Sequence, residues 1–239
     1  MNALLFSLML LPEKQDLIAD LSQFVTAERQ QKIESVLQQR TRHITVILED
    51  IFQSNNVSAC LRNCECFGVQ DLHIIDKRND FDLLREVSVG SEQWLTLYRY
   101  NQPKINNTQI CLEKLKSQGY KIVATTPDPK AITIEQISVE DKLALMFGTE
   151  LNGLSDDAFS QADYLVRIPM VGFSESFNIS VSVALCLYEI LSRLKNSKIN
   201  WRLSEIERLE IQINWLRQSV RGSRLLEEKL SNQSPSHSI

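Results

Sequence analysis

Apolar positions along this chain follow two different periods, and the change between them divides it. Over Glu13–Phe24 and Thr26–Arg40 apolar residues recur every three or four positions, which predicts two helices, the second capped by Thr26 with Glu28 in its first turn. From Ile44 the pattern shortens to compact, apolar, often β-branched runs separated by longer helical stretches. Strands are predicted at Ile44–Leu48, Leu72–Ile75, Leu95–Tyr98, Lys121–Ala124, Leu143–Phe147 and Tyr164–Ile168. Between them fall a helix after Ser54, a helix or turn around Phe81–Arg85, a helix over Asn107–Gln118 closed by Gly119, and a short helix over Ser155–Gln161 capped by Ser155. A long apolar helix runs from Ile179 to about Asn196, and a polar connection from Lys198 leads to an amphipathic helix with Leu203, Ile206, Leu209, Ile213 and Leu216 on one stripe. The β, α, β, α order with apolar strands predicts an α/β fold around a mainly parallel sheet covered by helices, with helical extensions at both ends. The expected division is an N-terminal helical extension over 1–43, a central domain over 44–197, a C-terminal helical extension over 198–230 and a disordered Ser- and Asn-rich tail over 231–239.

The helix after Ser54 is unusual at its start. Val57, Cys60, Leu61, Cys64 and Phe67 make a buried stripe, Ser54 or Asn55 is a candidate cap, and Asn56 and Arg62 project from the supported surface. Backbone N–H groups at a helix start, with a guanidinium two turns in, suit an anion such as phosphate. An ordinary capped helix carrying a solvated Arg is the other reading. Two further loops follow predicted strands, at the ends where ligands of parallel sheets bind. Phe147-Gly148-Thr149-Glu150-Leu151-Asn152-Gly153-Leu154 has two glycines for close approach or positive φ, and a carboxylate at the strand exit. Ile168-Pro169-Met170 through Ser176-Phe177-Asn178 bends at Pro169 and Gly172 before opening the long apolar helix.

Composition changes this picture mainly by exclusion. The chain has 239 residues, 43% of them hydrophobic, enough for one sizeable core. Five cysteines, Cys60, Cys64, Cys66, Cys111 and Cys186, lack paired spacing and a neighbouring His, so they read as core thiols of a reducing, cytoplasmic compartment and not as a disulfide framework or a metal site. The apolar run Asn2–Leu11 lacks a basic flank and a cleavage site, and nothing is long enough to span a membrane. No glycine-rich dinucleotide turn, phosphate loop, nucleophile elbow or paired-His helix occurs. The histidines, His43, His73 and His237, suggest no common site.

A net charge of −4 hides an uneven spread. Residues 193–229 carry nine basic against five acidic side chains, and residues 1–43 balance at five each, so the acidity lies in the middle. Arg40 and Arg42 in the first arm and Arg202, Arg217 and Arg221 in the second are candidates to face a polyanion, although charge runs also serve as plain solvated helix faces.

In order and spacing, Asn56 with Arg62, the Phe147–Leu154 loop, and the Ile168–Met170 and Ser176–Ala184 segments resemble the three motifs of the SPOUT-class RNA 2′-O-methyltransferases. The two leading helices and Trp201-Arg202-Leu203-Ser204-x-x-Glu207 resemble its TrmH branch, the tRNA (guanosine(18)-2′-O)-methyltransferases. The resemblance implies a C-terminal trefoil knot, an exception to the rule against threaded chains. It also implies a homodimer acting on tRNA with S-adenosyl-L-methionine as methyl donor, without a metal and without a membrane. Carried over by motif, Thr125, Gly148, Ile168, Met170, Ser176 and Phe177 would bind the donor, while Arg62, Asn56, Glu150 and Asn178 would form the catalytic cluster at the target ribose. Because the donor's methyl is already activated, alignment is the main requirement, worth roughly 7–11 kcal/mol in favourable cases. The family proposal that Arg62 is a general base conflicts with the tenacity of a guanidinium for its proton. A phosphate-bound Arg62 that stabilises the developing alkoxide is the alternative. Two positions depart from the family pattern: Phe177 replaces a common Leu, and Glu175 a common Gln. Methylation of ribosomal RNA, or RNA binding without catalysis, are the competing functions.

Overall fold

The computed structural model describes residues 11–51, 53–76, 90–149 and 151–227. The expected element at Phe81–Arg85, the side chain of Glu150, His237, and the tail over 231–239 lie outside the described residues. The chain forms two compact units, one from Thr41 to Arg202 and one from the two terminal segments, up to Arg40 and from Leu203 onward.

The larger unit is built on seven strands: β1 (Ile44–Glu49), β2 (Asp71–Ile75), β3 (Thr96–Tyr100), β4 (Tyr120–Thr125), β5 (Ile132–Thr133), β6 (Lys142–Phe147) and β7 (Tyr164–Arg167). They lie in the order β3-β2-β1-β6-β4-β7-β5 and every pairing is parallel. All six residues of β1 and all five of β2 are buried, as expected for strands covered on both faces. Four described α-helices belong to this unit, α3 (Ser54–Phe67), α4 (Asn107–Ser117), α5 (Asp156–Gln161) and α6 (Ile179–Lys195), and 3₁₀ turns at Ser91–Trp94 and Ile134–Gln136 lie in the connections. Helices α3 and α6 pack on one face, where Val57, Cys60, Leu61 and Cys64 meet Val183, Leu187, Ile190 and Leu191 in a core shared with Val46, Leu48 and Leu145. On the other face Cys111, Leu112 and Leu115 of α4 join Ile47, Ile122, Ala144 and Met146. Each such fully buried aliphatic side chain contributes roughly 1.5–3 kcal/mol.

The register places the functional edge. Leu48 pairs with Phe147, Ala124 with Met146, and Thr125 with Val166, so the C-terminal ends of β1, β6, β4 and β7 adjoin one another. Loops leaving these four ends start side by side.

In the terminal unit, α1 (Leu11–Ser22), α2 (Ala27–Leu37) and α7 (Glu205–Ser219) pack together around Leu21, Ile33, Leu37, Ile211 and Leu216. Thr26 caps α2 by accepting from Arg29 N at 3.2 Å, and Ser204 with Glu207 forms a reciprocal capping box on α7. The apolar stripe expected on α7 is shifted: Ile211, Ile213, Trp215 and Leu216 are buried, while Ile206 and Leu209 are half-buried. Strand β5 was not expected, because two residues carry no readable period.

Candidate active site

The opening of α3 differs from its expected form. Its N-cap is Gln53, in extended conformation and without a side-chain cap bond, so neither Ser54 nor Asn55 caps it. Gln53 Oε1 instead accepts from Asn56 Nδ2 at 3.3 Å. Asn56 is buried, and its Oδ1 accepts from Asn178 Nδ2 at 3.1 Å across 122 positions of sequence. Asn178 is the N-cap of α6, where its own Oδ1 takes Ser180 N at 2.9 Å and Ser180 Oγ at 2.6 Å. A second tie runs from Asn63 Nδ2 to Ser180 O at 2.7 Å. The starts of α3 and α6 are thereby locked together by amides, which keep this junction neutral and rigid. Arg62 stands exposed on α3 and forms no ion pair with another described residue.

A cavity of about 460 Å³ opens beside this junction, within the range of roughly 300–1,000 Å³ typical of small-molecule and cofactor sites. Thr125, Gly148, Ile168, Met170, Ser176 and Phe177 all line it. Phe147, Phe159 and Val166 add apolar wall suited to a flat heterocycle, while Thr126, Asn152 and backbone edges add polar groups. Thr125 Oγ1 donates to Met146 O at 2.8 Å, holding the ends of β4 and β6 together beneath the cavity.

The two glycines of the second loop serve different needs. Gly153 has φ +65°, the left-handed region where a side chain is strained. Gly148 is required by the chain's approach to itself and not to a ligand: a Cβ there would lie 2.2 Å from the carbonyl group of Gly153. Thr149 and Gly153 exchange both backbone bonds at 3.0 Å, closing the loop into a tight lasso.

Cys186 also lines the cavity, but burial, with the charge of Glu135 adding to it, pushes its thiol up to about 12. It is therefore a neutral wall group at physiological pH and not a nucleophile. Cys66 is exposed, unlike the core thiol expected, whereas Cys60, Cys64, Cys111 and Cys186 are buried. Among the described residues no group of three His, Cys, Asp or Glu is placed to hold a metal ion, and no helix is long and apolar enough to cross a membrane.

The arginines expected to face a polyanion divide. Arg40 is a correction: it is fully buried, its guanidinium 5.2 Å from the centre of the Trp215 ring, because its long stem completes the helical packing instead of reaching solvent. Arg42 Nε donates to Asp71 Oδ1 at 3.1 Å and pairs with the same carboxylate's Oδ2, also at 3.1 Å. Arg217 is engaged by Glu227 in a two-pronged pair at 2.8 and 2.7 Å. Arg202, stacked 4.5 Å over Trp201, and Arg221 are exposed. Sequence reasoning missed Glu49, Asn63 and Arg167. The last lines the cavity while its Nε donates to Ala131 O at 3.2 Å. Glu49 had a legible signal, a carboxylate closing an otherwise apolar strand; Asn63 had none.

A parallel sheet with amide-locked helix starts beside a cofactor-sized cavity defines a small-molecule-dependent α/β enzyme, and family comparison sharpens this. Residues 43–188 match the SpoU rRNA Methylase family, and the chain belongs to it. It is 42% identical over 215 residues to a tRNA (guanosine(18)-2'-O)-methyltransferase of Borreliella burgdorferi, covering 90% of this chain and 96% of that one. The enzyme of the same name from Thermus thermophilus is 32% identical over 69% of this chain and 82% of its own. Among solved structures, the TrmH/SpoU tRNA modifying enzyme of Aquifex aeolicus superposes with a TM-score of 0.72 at 26% identity, covering 81% of this chain and 98% of that one.

Proposed function

We propose that this protein transfers a methyl group from S-adenosyl-L-methionine to the ribose 2′-OH of a guanosine in the tRNA D-loop, the reaction named for its Borreliella and Thermus relatives. The observation that carries the reading is the Asn56–Asn178 bond beside the cavity, with Arg62 exposed on the same helix as Asn56. The cofactor, when bound, supplies a methyl group already activated by its sulfonium. The protein's work is alignment. Of the residues lining the cavity, Phe147, Ile168, Met170 and Phe177 would hold the adenosyl portion, Thr125 and the backbone at Gly148 would meet its polar edge, and Ser176 would stand at the mouth. Arg62 holds the target's phosphate and stabilises charge developing on the 2′-oxygen, while Asn56, Glu150 and Asn178 orient Arg62 and the ribose. The 2′-hydroxyl itself selects RNA over DNA.

The chain functions, in this reading, as a cytoplasmic homodimer with a knotted C-terminal segment. Supporting the dimer are an exposed apolar stripe of Val181, Leu185 and Tyr188 on α6 and the fully exposed Val171 and Phe173 in the segment before it. Supporting the knot is the sheet order, in which β4 lies between the later strands β6 and β7. Residues 44–197 carry catalysis; the flanking helical segments, with Arg202 and Arg221 exposed, contact tRNA.

The test is incubation of purified protein with unmodified tRNA and labelled donor, with methylated riboses mapped by mass spectrometry beside an Arg62→Ala control. Label at a D-loop guanosine that is lost in the control is the expected result. Transfer to ribosomal RNA instead, the substrate in the name of a Coxiella burnetii relative 26% identical over 74% of this chain, would replace the tRNA reading. No transfer to either would leave a binding protein.

A further inference from the structure

Glu49 is the last residue of β1 and is only 2% exposed. Three donors converge on its carboxylate. Thr108 Oγ1, in the first turn of α4, donates to Oε1 at 2.6 Å; Ser155 Oγ donates to the same oxygen at 2.7 Å; and Ser155 N donates to Oε2 at 2.9 Å. Burying a carboxylate is costly, and such a group persists where hydrogen bonds to its charged form offset the loss of water.

Ser155 is where this matters. It is the N-cap of α5 and the residue that ends the 148–154 loop. Gly148, Thr149, Leu151, Asn152 and Gly153 of that loop line the cavity. Strand β6, paired with β1 up to Leu48–Phe147, fixes the loop's beginning. Its end is fixed by Ser155, held to the residue that follows Leu48. Both ends of the cavity-lining lasso are thus referred to one strand, and five residues beyond Glu49 the same chain enters α3, which carries Asn56 and Arg62.

We infer that Glu49 is a positioning residue: its buried carboxylate sets the 148–154 loop against β1, so that the donor cavity and the start of α3 keep one spacing. Glu49 does not line the cavity and touches neither the donor nor the ribose. This rests on the reading of the cavity as the S-adenosyl-L-methionine site.

The inference is tested by calorimetric binding of S-adenosyl-L-methionine to the full chain and to Glu49→Gln, Ser155→Ala and Ser155→Thr. An amide offers one accepting oxygen to three donors, and loss of a charge-assisted bond of this kind corresponds to about tenfold weaker binding of whatever depends on it. Glu49→Gln and Ser155→Ala are expected to weaken donor binding by about that factor and to raise KM for the donor more than they lower kcat. tRNA affinity without donor stays at the wild-type value, and Ser155→Thr, which keeps the hydroxyl, recovers most of the loss. Folded variants that bind the donor as tightly as wild type overturn the inference. Should Glu49→Gln not fold, Ser155→Ala decides alone by the same criterion. Wild-type protein that fails to bind the donor would instead sink the reading of the cavity.

Discussion

A single added methyl group at Gly148 tests the geometry of the donor cavity most severely. In Gly148→Ala the new Cβ would sit 2.2 Å from both the carbonyl carbon and oxygen of Gly153 and 2.4 Å from Leu154 N. Non-bonded carbon contacts are comfortable only from about 3.5 Å, so the overlap exceeds about 1 Å and falls on backbone, which cannot rotate away. The lasso must open by a comparable distance, breaking the paired Thr149–Gly153 bonds. Overpacking of this kind costs about 1–3 kcal/mol, and a 1 Å displacement of a positioning element can cost about 100-fold in rate. Two other glycines calibrate the effect. At Gly153 an added Cβ meets nothing within 4 Å but is forced into φ +65°, a strain of about 1–2 kcal/mol. At Gly172 it meets nothing, and the backbone is ordinary. Calorimetric donor affinity and thermal unfolding of the three Ala variants should therefore rank Gly148 as most damaging, then Gly153, with Gly172 near wild type. Equal donor affinity for Gly148→Ala and Gly172→Ala would refute the lasso as the wall of the donor site.

Removing the Asn178 side chain deletes a helix cap worth about 1 kcal/mol together with the bond to Asn56, so Asn178→Ala should lose far more in kcat/KM than that figure explains; proportional losses of stability and activity would count against a role at the ribose. His73 is held down to about 3 by burial, and secondarily by Lys114, where it stacks on Tyr98 at 4.7 Å and meets Tyr100 Oη at 3.1 Å. Its folded value lies below its unfolded value, so its contribution is complete above about pH 6.5 and is lost as pH falls toward 3, amounting to about 2 kcal/mol by pH 5. Urea unfolding at fixed protein concentration should show His73→Phe losing about that much less stability than wild type between pH 7 and pH 5; identical pH dependence would remove His73 as the cause. Charge placed on the α6 stripe by Tyr188→Asp or Val181→Asp should yield a monomer in analytical ultracentrifugation, and an unchanged sedimentation coefficient would move the dimer contact elsewhere.

Strands β1, β2, β4, β6 and β7 were readable because each is a short apolar run between turn residues, and their parallel pairing follows from the helices between them. Caps at Thr26 and Ser155 were legible for a local reason: a side chain bonding three residues ahead leaves a fixed spacing. The site was only partly legible. Motif order marked the six cavity residues, yet the order of the strands that brings them together is a tertiary property. Arg40 misled because sequence records its charge and not the Trp215 ring that faces its guanidinium. Glu49 was passed over because its three partners arrive from positions 59 and 106 residues away.

Strand β6 is among the last parts of the sheet to be synthesised, yet it occupies the middle, between β1 and β4. Until residues 142–147 have left the ribosome, β1 offers an unpaired edge on one side and β4 on both, since β7 also comes later. The nascent chain therefore spends most of its synthesis as separate pieces with open, apolar strand edges, the condition that favours slow folding and aggregation. Completion of the sheet is a single late insertion, and a chain released near residue 140 has nothing to fill the gap. The arrangement that juxtaposes the four strand ends of the active site thus makes cotranslational folding wait for its central strand.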